Sequence, residues 1–365
     1  MTSACRVTVG RLSDRGPGSG FEAVTLENER MLVVVLPGKG AGVYRLIYKP
    51  RGVDVLWKSP WGLRPPGQTV ATATNSATAW FDHYEGGWQE IFPSGGGPSV
   101  VDGAELSFHG ESSVVPWEYE VLEEAGSRCA VRFRVTLGRS PLSLERTMSL
   151  SADSAVLTLQ ERMINESADP FETMWGHHPA LGAPFLDGGC IIDAPATTFI
   201  AHDPQLSADT LLPDGGEFTW PHVTGRDGTQ IDLSRVPPRE RRLAHFGCLA
   251  GLRDGWYAMP NPKLGFGFGM TFPTDIFKYL WFWQELGGSP GYPWFRRAYV
   301  MAVEPWTSFA LDGLAGARER KTALPLGVGE AREATIRFVF FDGADGVAAI
   351  SPEGEVQLKQ GGISR

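Results

Sequence analysis

Along most of the chain apolar and polar residues alternate one by one, the period that a half-buried β-strand imposes because successive side chains leave opposite faces. The pattern is clearest in "YEVLEEAGSRCAVRFRVTLGRSPLSLERTMSLSADSAVLTLQERMINES". There Val131, Phe133 and Val135 alternate with Ala130, Arg132 and Arg134, and Leu142 to Leu150 and Ala155 to Ile164 repeat the period after short polar turns. Strands at such even spacing predict an antiparallel sandwich. "MLVVVLPGKGAGVYRLIYKP" near the N-terminus, and "RRAYVMAVEPW" and "EATIRFVFFDG" late in the chain, continue the pattern. Few helices are predicted.

Two stretches break the rhythm. His202 to Leu243 is polar and dense in Pro and Gly, and is expected to be a long loop excursion over the sheet, anchored by Phe218, Trp220, Ile231 and Leu233. The tail from Gly343 is weakly patterned and expected to be loosely ordered. No internal repeat or low-complexity tract divides the chain, so one all-β domain is expected over residues 1–365.

Composition agrees with many turns and short strands, since 45 Gly and 27 Pro punctuate the 365 residues. A formal charge of −9, with both signs interspersed, argues against nucleic acid or an anionic membrane as partner, because each must meet a positive field. Cys5, Cys129, Cys190 and Cys248 lie far apart without ligand spacing, so they read as reduced thiols rather than as a disulfide scaffold or zinc ribbon. The start, "MTSACRVTVGRLSDRG", has no apolar signal segment, and no apolar run reaches membrane-spanning length. A cytoplasmic protein handling a neutral or small polar ligand is expected.

Four places combine polar chemistry with apolar surroundings. In "FHGE", His109 and Glu111 would share a strand face, with Gly110 between them leaving room for close approach. In "ETMWGHHPALGAPF", His177 and His178 point to opposite faces, so one of them looks into any given cavity. In "RRAYVMAVEPW", Glu304 ends a strand apolar on both faces, where a carboxylate needs a partner because burying it bare costs several kcal/mol. The fourth feature is aromatic: Trp88, Trp117, Trp175, Trp281, Trp283, Trp294 and Trp306 fall in or beside these motifs. An indole face packs on the C–H face of a pyranose while polar neighbours take its hydroxyls. Two imidazoles and a carboxylate supply the acid, the base and the hydrogen-bonding helper that open a cyclic hemiacetal, with neither metal nor cofactor.

The ordered set "GGWQEIFPSGG", "FHGE", "LSLERTMSLSADSAVLTLQERMINESADPF", "GHHPAL" and "AVEPWTS" resembles the aldose 1-epimerase (galactose mutarotase-like) family over roughly Val24 to Phe340. The resemblance implies a large twisted antiparallel β-super-sandwich with its active site in a concave groove, interconverting the anomers of a sugar. Residue by residue it implies His178 as general acid to the ring oxygen, Glu304 as general base on the anomeric hydroxyl, and His109 as a binder of ring hydroxyls. Glu111, Trp88, Trp117, His177 and Trp306 complete the expected substrate-binding set. Where relatives carry arginine, Gly95 to Gly97 and Glu111 to Ser113 stand here, which disfavours phosphorylated sugars because a phosphate calls for Arg or Lys clamps. Arg296 and Arg297 could take over that role. Two other readings stay open: a non-catalytic carbohydrate-binding sandwich, and a metal-dependent isomerase or lyase with His109, Glu111 and His178 as ligands.

Overall fold

A computed structural model of the chain describes residues 4–12, 20–64, 73–309, 311–343 and 345–359. Two antiparallel sheets form its frame. The larger has 14 strands, and its path runs from the N-terminal strands through Gly42–Tyr48, Trp88–Ile91, Gly176–Pro179, Tyr299–Trp306, Tyr279–Leu286 and Leu243–Ala250 to Thr198–Ala201 and Glu217–Thr219. The smaller has seven, among them Arg128–Thr136, Leu142–Ser151, Val156–Asn165 and the 12-residue Ala331–Asp342. The alternation along 128–165 therefore gives the register expected of it, with Phe133 opposite Arg146 and Leu144 opposite Met163.

Between the sheets lies a core in which Val33, Val35 and Leu46 of the large sheet meet Met148, Leu159, Phe268 and Phe338 of the small one. A second apolar cluster covers the other face of the large sheet and is built of aromatics: Trp57, Trp80, Tyr84, Trp281, Trp283, Trp294 and Trp306. Strands buried on both faces lose their alternation and read as nearly continuous apolar runs. The Tyr299–Trp306 strand, with every residue buried, is such a case.

Two expectations are corrected. Within 202–243 the chain adds the strand Glu217–Thr219 to the edge of the large sheet and forms a hairpin of His222–Thr224 with Gln230–Asp232; Leu233 is buried and Phe218, Trp220 and Ile231 pack on the core. Of the tail from Gly343, the described residues 345–359 pair Val347–Ile350 with Val356–Leu358 and are held by buried Val347 and Ile350 and by an ion pair from Lys359 to Asp193, while residues 360–365 lie outside the described residues. Its alternation was too short to stand out. Among the described residues no helix is long and apolar enough to cross a membrane.

Candidate active site

The aromatic face of the large sheet carries one continuous row of side chains. Trp281 pairs with Glu304, and Gly176 with Trp306, so two residues further along His178 lies across from Glu304; on its other side His178 pairs with Gln89. Strand alternation sends Glu304 and His178 to the same face, and His178 Nε2 stands 3.8 Å from Glu304 Oε1. Both are nearly enclosed, with 1% of Glu304 and 6% of His178 exposed.

Each is held by aromatic neighbours. Trp306 donates its Nε1–H to Glu304 Oε2 at 3.0 Å and stacks on Trp281 at 3.9 Å between ring centroids. That stack is possible only because Gly95 and Gly176 lack side chains: a Cβ on either would lie 2.3 or 2.1 Å from the Trp306 ring. The Tyr84 hydroxyl lies 3.4 Å from His178 Nδ1, and burial raises its pKa well above the ordinary tyrosine value, so it stays protonated. By accepting from Nδ1–H it would leave the Nε2 lone pair facing Glu304.

His109 joins this pair from a turn, not from the strand expected. With φ +58° it sits in the left-handed region, and its Nδ1 accepts the Gly96 N–H at 3.0 Å. The turn is pinned because Glu111 and Ser112 both donate backbone N–H groups to the Phe92 carbonyl. The His109 ring centroid is 6.0 Å from that of His178. The indole of Trp80 neighbours both, 4.6 Å from His109 and 6.3 Å from His178, and is stacked on Tyr84 at 4.4 Å. Trp80 comes from the helix Ser76–His83, which Asn75 caps by accepting the Thr78 N–H at 2.9 Å. Trp283 closes the other side of the imidazole at 5.4 Å.

Burial sets the proton positions. It pushes the Glu304 pKa up to about 8, with the Trp306 hydrogen bond opposing, and His178 down to about 4. His109 is held well below the usual histidine value by burial and then by the neighbouring His178. At neutral pH the pair therefore holds one proton, on Glu304.

The remaining expected residues lie elsewhere. Trp88 and Trp117 belong to the core between the sheets, since alternation along Trp88–Ile91 puts Trp88 and Glu90 on the face opposite Gln89. Glu111 caps the turn at Gly138 and Arg139, accepting both backbone N–H groups at 3.0 Å, so the ligand set His109, Glu111 and His178 is not assembled. Arg296 and Arg297 are tied to backbone carbonyls, Arg296 also to Asp209, and do not replace the missing arginines.

His177 points into the core, where it meets Glu161 at 3.0 Å between its Nε2 and Oε2. Beside it Glu90 accepts from Arg146 Nη1 at 3.1 Å and from Trp175 Nε1 at 2.8 Å. The donors of Glu90, Glu161 and His177 lie within 4.8 Å of one another, the spacing of a metal centre. The chemistry does not fit one. Trp88 Nε1 donates to His177 Nδ1 at 3.3 Å, so the ring proton sits on Nε2, where a metal would bind, and Arg146 already supplies a buried positive charge. Burial pushes Glu90 up to about 7 and Glu161 to about 8, so a retained proton brings the cluster towards neutrality.

Sheet order and the packing of the two antiparallel sheets define a galactose mutarotase-like β-sandwich fold. The chain belongs to the family described as domain of unknown function DUF4432, whose profile matches residues 18–217. Among curated proteins none matches. Similar solved structures include a provisionally named aldose 1-epimerase from Klebsiella pneumoniae (16% identity, 93% of this chain and 84% of that one, TM-score 0.69). Another is a galactose mutarotase-like protein from Clostridium acetobutylicum (13% identity, 92% and 99%, TM-score 0.61). A third, from Lactobacillus casei, is also galactose mutarotase-like (15% identity, 87% and 100%, TM-score 0.57). At such identities the likeness establishes the fold.

Tyr84, Trp80 and Gln89 were not singled out in the sequence. The capping Asn75 ahead of "SATAWFDH" was the available signal for the helix that brings Trp80 in, and strand alternation was the signal for Gln89.

Proposed function

We propose that the protein interconverts the α and β anomers of a neutral sugar by acid/base ring opening. The observation that carries this reading is the buried His178–Glu304 pair, 3.8 Å apart, with His109 and an aromatic wall around it. One group takes the anomeric O1 proton while the other gives a proton to ring oxygen O5. The C1–O5 bond breaks, C1 becomes an aldehyde, and rotation about C1–C2 followed by closure on its other face returns both protons. With the proton on Glu304 in the resting site, Glu304 serves as the starting acid and His178 as the base, the reverse of the polarity implied by the resemblance. Closure restores the starting state either way. Glycines in place of the relatives' arginines support a neutral substrate. With Trp80 packed on Tyr84, His109 and His178, we infer that a sugar reaches the pair only when that indole moves aside.

The test is exchange NMR or polarimetry across neutral aldoses, with and without chelator. Acceleration that survives chelation and falls by about 10² or more in Glu304→Gln and in His178→Asn is expected. The singly protonated pair further requires a bell-shaped rate with limbs near pH 4 and 8, the values of His178 and Glu304. Sugar binding without acceleration would instead favour a carbohydrate-binding module; activity lost on chelation would refute the metal-free chemistry.

A further inference from the structure

The row through Glu304 and His178 continues onto Gln89, which pairs with His178 on the next strand. Two strand spacings of about 4.8 Å separate Gln89 from Glu304, close to the length of a hexopyranose with its hydroxyls. Gln89 is 1% exposed, and its two amide atoms are in different positions. Nε2 donates to Glu85 Oε1 at 3.3 Å, and Glu85 is paired with Lys39, whose Nζ lies 2.7 Å from Glu85 Oε2 and donates to the His83 carbonyl at 2.7 Å. Paired with Lys39, the Glu85 carboxylate accepts from the amide nitrogen, which turns the amide oxygen away from it. That oxygen, buried, has no hydrogen-bond partner. The next position in the row, beyond Trp88↔Val43, is Gly42, so the neighbouring strand sends no side chain over Gln89.

A buried acceptor left unmatched in a ligand groove awaits a donor from the ligand. We propose that Gln89 Oε1 accepts a hydrogen bond from the substrate hydroxyl opposite the anomeric carbon, making Lys39–Glu85–Gln89 a specificity subsite for neutral hexopyranoses with a free 4-hydroxyl. The reason is geometric: with C1 held between Glu304 and His178, the ring atom farthest from it is C4, and Gln89 is the next side chain of the row. The inference rests on the mutarotase reading for the placement of C1. It excludes sugars linked or capped at O4.

The experiment pairs substrates with a variant. D-glucose and D-galactose and their 3-, 4- and 6-deoxy analogues are assayed for anomer exchange with the wild-type chain and with Gln89→Met, which keeps length and removes the acceptor. The expected result is that loss of the 4-hydroxyl lowers wild-type kcat/KM by about five- to a hundredfold. Gln89→Met should lower it equally for the parent sugars and leave the 4-deoxy analogues unchanged. Equal losses on parent and 4-deoxy sugars, or a wild type indifferent to the 4-hydroxyl, would overturn the proposal. Should Gln89→Met not fold, the deoxy panel on the wild type decides alone. Should the wild type exchange no anomer, the function reading fails, and tryptophan-fluorescence titration with the same sugars still reads the subsite: tighter binding of the parents than of the 4-deoxy analogues supports it, and equal binding overturns it.

Discussion

Replacing Arg146 by Met tests whether the buried charges behind the groove behave as a unit. The guanidinium is 1% exposed, donates to Glu90 Oε2 at 3.1 Å and to the Ala41 carbonyl, and lies 5.1 Å over the Trp117 ring. Methionine keeps the apolar stem and deletes the charge. Breaking one side of a buried pair costs about 3–5 kcal/mol, against a total stability of roughly 5–15. Protonation limits that loss. Arg146 lowers the Glu90 pKa, which stands at about 7 even so; without the guanidinium Glu90 keeps its proton to higher pH. Wild-type Glu90 ionises above pH 7 and the variant's does not, so the variant's deficit grows there by about 1.4 kcal/mol per pH unit. The expected loss is about 3 kcal/mol at pH 6 and about 4–5 at pH 8. Urea unfolding followed by tryptophan fluorescence at the two pH values measures it. The double variant Arg146→Met with Glu90→Gln, whose amide oxygen still accepts from Trp175, should recover at least half the loss and remove its pH dependence. A pH-independent loss that the second substitution leaves in place would refute the reasoning.

Two further outcomes follow from the same geometry. Glu90, Glu161 and Glu304 have pKa values raised from 4.5, to about 7, 8 and 8, so the stability they carry is lost as pH rises towards 8. His177, His178 and His245 are lowered from 6.5 to about 4, so theirs is lost as pH falls towards 4. The thermal midpoint should peak between about pH 4.5 and 6.5, where the two sets oppose, and a midpoint still rising from 6.5 to 8 would contradict the assignment. Gly176→Ala places a Cβ 2.1 Å from the Trp306 ring and should break its stack on Trp281, with a loss of about 1–3 kcal/mol and a changed near-ultraviolet circular dichroism. An unaltered spectrum would show that the stack tolerates the methyl group.

Much of this architecture could be read from the chain before any coordinates. The two-residue period fixed the strands over 128–165, and the opposite faces of His177 and His178 were a direct consequence of it. Glu304 stood out because a carboxylate closing an apolar strand demands a partner, and His178 lies 3.8 Å away. What failed was long-range or conformational. His109 lies on a turn with positive φ, so the shared face with Glu111 that a strand would give does not exist. Trp88 and Trp117 were grouped with the groove by composition, whereas the groove's own aromatics, Trp80 and Tyr84, come from a helix and its exit that show no repeating pattern. No local signal announces that Arg146, Glu90 and Glu161, dispersed over three strands, will meet in one interior cluster.

Trp80 gives the hollow an occupant of its own. Its indole is tethered, hydrogen-bonded to Ser113 Oγ at 3.3 Å, and packed against the three rings any sugar would touch. On the proposed reading an incoming pyranose competes with a ring that never diffuses away, and its apparent dissociation constant is the intrinsic one divided by the fraction of molecules in which that ring has vacated. If one molecule in about a hundred stands open, an intrinsic dissociation constant near 10 μM is observed near 1 mM. On that reading, weak apparent affinity is the expected cost of seating the Trp80 ring against the site.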